Sequence, residues 1–268
     1  MVWPFKPRAF LSSEDEAWHF EAWAFLLRHW GGMGDLKLSP LVAPTREFFP
    51  PSSATGHERA LAAFERVKAL AQMEAWPCRL EAQPERPDPR ASRFVTLVTE
   101  NPMPLGTFGP DGVEIVITYD PGLLDDPWGL VATFAHELAH YRLAHIEEPA
   151  PQGEELEEFL TDLAVAYLGF GLFGANTAFR FEQHQDATVQ GWQTRGQGYL
   201  SERDWVFALA VFLSLRGEGV EVARSYLKAS LFEDLRKALR YLDRRREALD
   251  ALRAVEPVAP AQEGAQSA

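Results

Sequence analysis

The pentapeptide His136-Glu137-Leu138-Ala139-His140 constrains this chain more than any other stretch, because it lies inside what reads as one amphipathic helix running from Pro127 to His145. Residues four apart on an α-helix stack on one face, so the two imidazoles reach toward one point with Glu137 leaning beside them. This is the H-E-x-x-H arrangement, in which two neutral histidines serve as zinc ligands and the glutamate as general base on a water at the metal. The spacing has meaning only on a helix, and the local chemistry supports one. Asp126 supplies an acidic N-cap, and Pro127 takes the first helical position, where its missing N–H is no loss. Leu130, Val131, Phe134, Leu138 and Tyr141 recur at three- and four-residue steps as a core-facing stripe, which places the histidines at the border between core and cleft. His145 is five residues past His140, points to a different face, and falls outside the ligand set.

Two histidines do not complete a catalytic zinc site, which usually takes three protein ligands and leaves a fourth position for water. The third ligand is expected at Glu158, one loop and one turn beyond His140, on a second helix spanning Glu154 to Phe170. Glu154, Glu155 and Glu157 compete with it. Asp162 lies four residues further on the same face. Embedded among Leu160, Leu163 and Ala164, it needs a specific partner if buried, and the N–H of a ligating imidazole would be one. Beyond this helix, Phe179 to Gly198 reads as irregular. His184, Arg195 and Tyr199 are the candidates there for stabilising the oxyanion of a tetrahedral intermediate.

His136-Glu137-Leu138-Ala139-His140 followed by Glu158-Phe159-Leu160-Thr161-Asp162 resembles the H-E-x-x-H plus E-x-x-x-D signature of gluzincin metallopeptidases, most of all the CAAX-prenyl-endopeptidase and HtpX-type group. The resemblance covers roughly residues 115–168. It implies His136, His140 and Glu158 as zinc ligands, Glu137 as the base and Asp162 as the group that orients a ligand. Peptidases of that group are built into membranes, and here the chain departs from them. Its most apolar stretch, Phe159 to Phe173, contains Asp162 and is broken by Gly169, Gly171 and Gly174 before it reaches spanning length, so it reads as buried helix.

The remaining sequence supplies a scaffold. With 268 residues, 46% of them apolar, the chain has material for a sizeable core. A formal charge of −13 opposes attraction to phosphate backbones or anionic lipid, so neither nucleic acid nor a membrane is an expected partner. Cys78 is the only cysteine, which leaves histidine and carboxylate to hold a metal. Met1 to Phe10 shows no continuous apolar run of the kind a secretory signal needs, and a cytoplasmic location is the default.

Ser13 with Glu16, and Thr55 with Glu58, read as capping boxes opening two N-terminal helices. The first carries Trp18, Trp23 and Trp30 as core residues and stops at Gly31-Gly32. Pro84, Pro87 and Pro89 mark a linker. Strands are expected at Phe94 to Thr99 and Val113 to Tyr119, directly ahead of the metal helix. Ser201 with Asp204 opens a buried helix ended by Gly217, and one or two more helices follow to Ala254, with a polar tail after Pro257.

The expected whole is an α+β protein, mostly helical, with a small sheet packed against the H-E-x-x-H helix. Its regions would be an N-terminal helical part (1–90), a zincin-like core (91–216), a C-terminal helical part (217–256) and a disordered tail (257–268). The expected activity is zinc-dependent hydrolysis of a peptide bond in a peptide or protein substrate. A non-catalytic zincin-scaffold binding or regulatory module is the alternative.

Overall fold

Serine side chains cap two of the described helices, and left-handed glycines turn the chain at several helix boundaries. The computed structural model describes residues 9–83, 97–98, 115–153, 156–185 and 199–258, with backbone alone for 97–98 and 179–185. Helix α1, Ser13–His29, is capped one residue earlier than its sequence pattern predicts: Ser12 accepts the Asp15 amide at 3.1 Å. Glu16 is thereby free of capping duty and instead meets Tyr241 and, at 2.8 Å, Arg245. Trp18, Trp23 and Trp30 are buried. Gly31, at φ +82°, turns the chain straight into α2, Gly32–Leu38, a short helix hidden behind the Gly-Gly stop signal. Helix α3, Gly56–Leu70, has Thr55 at its N-cap, but the hydroxyl makes no bond to the helix, so the second capping box does not form.

Three short strands form one sheet, β1 (Cys78–Ala82), β2 (Leu97–Val98) and β3 (Ile115–Tyr119), in the order β1-β3-β2. β1 runs parallel to β3 with Leu80 opposite Ile117, and β2 runs antiparallel with Leu97 opposite the same residue. The Ile- and Val-rich β3 announces itself; β1 does not, because Cys-Arg-Leu-Glu-Ala carries no β-branched residue. The expected linker at 84–89 lies outside the described residues. Tyr119 at the end of β3 sets its ring 5.9 Å from that of Phe134, and Tyr141 donates to the Pro77 carbonyl just ahead of β1. Both contacts seat the sheet on the next helix.

That helix, α4, spans Pro127–Leu143 with Pro127 in its first turn, and its apolar stripe is buried. Helix α5 spans Glu157–Tyr167 and α6 Gly171–Gln185. The predicted single helix from Glu154 to Phe170 therefore ends at Tyr167. The cause is Gly169, at φ +93°, where a Cβ would lie 2.0 Å from the Pro40 carbonyl oxygen. The bare backbone lets residues 40–42 close in, and the Val42 amide donates to the Gly169 carbonyl at 2.9 Å. Among the described residues, no helix is long and apolar enough to cross a membrane.

The stretch from Phe179, expected to be irregular, stays helical to Gln185. Gly174 lets the Trp205 ring lie where a Cβ would be 2.3 Å away, so the first turn of α6 packs closely on the helix after it. That next helix, α7 (Glu202–Arg216), starts as predicted with Ser201 accepting the Asp204 amide and ends at left-handed Gly217. Helices α8 (Ala229–Leu242) and α9 (Arg246–Arg253) complete a mostly helical α+β architecture. One buried apolar cluster runs from Phe10 through α1, α4, α5 and α7 to Leu252, drawing on residues from both sides of positions 90 and 216.

Candidate metal centre

The one-turn spacing on α4 brings the His136 and His140 rings to 4.6 Å, nearly perpendicular, with their Nε2 atoms 3.1 Å apart. Glu158, in the first turn of α5 where the helix dipole favours an anion, turns Oε2 inward to 3.3 Å from His136 Nε2 and 3.4 Å from His140 Nε2. This oxygen is closed off from solvent and no group donates a hydrogen bond to it. Among the described residues, His136, His140 and Glu158 form a group that could hold a metal ion.

The far side of each ring explains why the near sides converge. Asp162, buried, places Oδ1 at 3.1 Å from His136 Nδ1, while its Oδ2 accepts the Leu200 amide at 2.9 Å. An ionised carboxylate only accepts, so the His136 proton resides on Nδ1 and the Nε2 lone pair faces inward. The hydroxyl of Thr161, fully buried, lies 3.2 Å from His140 Nδ1. The predicted orienting role of Asp162 thus has its geometry, whereas Thr161 was not foreseen. Its only advance signal is position: it stands three residues after Glu158, on the same face of α5.

Three lone pairs aimed at one point need a positive charge between them. In the ion-free protein a proton meets part of that need. Burial disfavours the His136 imidazolium, but the negative carboxylates of Asp162 and Glu158 beside it outweigh that and push His136 up to about 10. Burial would likewise raise Glu158, yet the two imidazoles hold it well below the usual carboxylate range. Glu137 is buried, and burial raises its carboxyl above the ordinary value against the pull of His136 and His140. Burial also raises Asp162, against His136 and the Leu200 amide.

No protein-family model matches the chain, and no curated protein or solved structure matches it either. The site therefore stands on its own geometry.

Of the three residues considered for an oxyanion, Tyr199 is brought to the cluster, its ring 5.8 Å from that of His136. Burial first, then Glu158, Asp162 and Glu137, raise its phenol, which keeps the O–H as a donor. The side chain of His184 and all of Arg195 lie outside the described residues. His145 is turned away from the cluster: its Nδ1 meets the Tyr141 carbonyl at 2.9 Å and its ring sits against Trp76. Glu157, a competitor for the ligand role, gives its backbone carbonyl to Thr161, and Glu154 and Glu155 lie outside the described residues.

Proposed function

We propose that the protein is a zinc-dependent peptidase, with His136, His140 and Glu158 as metal ligands. The observation that carries this reading is the triangle of ligand atoms. Ligands about 2.0–2.2 Å from a tetrahedral zinc ion stand roughly 3.3–3.6 Å from one another, and the three edges here are 3.1, 3.3 and 3.4 Å. Two neutral imidazoles and one carboxylate are also the donor set of catalytic zinc sites.

A bound zinc ion would lower the pKa of water and polarise a scissile carbonyl. Glu137, one position from His136 and with its proton affinity raised by burial, is suited to accept a proton from the attacking water and return it to the leaving amine. Asp162 fixes the tautomer of His136 so that Nε2 stays free to ligate. The Tyr199 phenol, whose ring lies beside that of His136, would be the donor that holds negative charge as it develops on the substrate oxygen.

Elemental analysis of the purified protein, combined with digestion of an unfolded protein substrate, tests the proposal. Wild type should carry one zinc per chain and Glu158→Ala none. Glu137→Gln should keep its zinc while cleavage falls by about 10²–10⁴-fold. A wild type that binds no zinc, or a Glu137→Gln variant that cleaves at the wild-type rate, would overturn it.

A further inference from the structure

We infer that Thr161 is a positioning residue for His140, fixing by hydrogen-bond bookkeeping which nitrogen of that ring faces the metal. The inference rests on the zinc reading above and extends it to the second histidine.

The Thr161 hydroxyl has one proton to give. It is given to the Glu157 carbonyl, one turn back on α5, at 3.0 Å. At His140 Nδ1, 3.2 Å away, the same oxygen is therefore left only as an acceptor. The His140 proton must then sit on Nδ1, and its Nε2 carries the lone pair that points at His136 Nε2 and Glu158 Oε2. Had the hydroxyl proton been free to turn toward the ring, the opposite tautomer would be equally well bonded and Nε2 would be protonated and useless as a ligand. The backbone carbonyl removes that option.

The arrangement on α5 is compact. Glu158 supplies a ligand, Thr161 three residues on orients His140, and Asp162 next to it orients His136. One face of one helix thus supplies the third ligand and governs both of the others. A neutral hydroxyl suits His140, because a further carboxylate here would add another negative charge to those of Glu137, Glu158 and Asp162.

The test is titration of purified protein with Zn²⁺ against a competing chelator, for wild type, Thr161→Val and Thr161→Ser. Valine keeps the shape and removes the acceptor; serine keeps the acceptor and removes the methyl group. Thr161→Val should weaken zinc binding by about 10–100-fold, and Thr161→Ser should stay within about threefold of wild type. Imidazole ¹H–¹⁵N spectra of the zinc-loaded proteins give a readout that packing alone would not move. The His140 Nδ1–H signal should be present in wild type and Thr161→Ser and exchange-broadened in Thr161→Val, with the His136 signal unchanged throughout. Equal affinity of Thr161→Val and wild type, or equal weakening by both substitutions, would overturn the role of Thr161 and leave the zinc reading intact. Absence of zinc binding by wild type itself would remove both.

Discussion

Among the described residues, two histidines are held by aspartates from neighbouring helices, His19 buried and His136 partly buried, and they have come to opposite ends. His136 on α4 meets Asp162 of α5 at 3.1 Å, and His19 on α1 meets Asp204 of α7 at 3.2 Å. The pairs differ in what the second ring nitrogen sees. His136 Nε2 faces two further lone pairs, those of His140 and Glu158. His19 Nδ1 is buried with no hydrogen-bond partner, and the ring is wedged against Trp18 and Phe207. A histidine–aspartate pair is thus a neutral building block. Convergence of other donors makes one a candidate metal centre, and flanking aromatic rings make the other a strut.

The contrast is most exposed by deleting each ring in turn. His136→Ala should reduce the zinc content from one per chain to none, whereas His19→Ala should retain full zinc and lower stability by about 3–5 kcal/mol, the cost of emptying a buried aromatic site. Loss of zinc from His19→Ala, with the protein folded by circular dichroism, would break the comparison. The aspartates sharpen it at lower amplitude. Asp162→Asn should weaken zinc binding by about 10–100-fold in a chelator competition. Asp204→Asn should leave zinc affinity unchanged and cost about 1–3 kcal/mol in denaturant unfolding.

The smallest effect is one of acidity. Burial raises the Asp204 carboxyl, but the bonds to His19 and Ser201 outweigh it and hold it below its ordinary value of 3.8. A carboxylate depressed in the folded state contributes stability that is present above its unfolded pKa and lost as pH falls through the folded value. The gap in melting temperature between wild type and Asp204→Asn should therefore narrow as pH falls below 3.8. A gap that widens on acidification would contradict the assignment.

The two pairs were also unequally legible. His136, Glu137 and His140 sit within about one helical turn of a helix opened by Pro127, so the helix start, periodicity and motif all speak from one short stretch, although the Asp126 side chain makes no capping bond. Glu158 and Asp162 follow on the next helix at the same four-residue step. By contrast, His19 and Asp204 are 185 residues apart, and nothing local marks either as the other's partner. Thr161 was silent for a related reason: a threonine inside a helix has no propensity signature of function, and its role exists only once α4 lies across α5. The short helix α2 and strand β1 went unread because Gly31-Gly32 looks like a stop and Cys78–Ala82 lacks strand formers; packing overrode both signals.

Asp162 spends its second oxygen on the Leu200 amide, and Tyr199 is the residue just before. The carboxylate is therefore a linchpin between the ring of His136 on one side and the chain entering α7 on the other. If the cluster holds a cation, whatever fixes the His136 ring there also bears, through this one carboxylate, on the backbone next to the Tyr199 phenol.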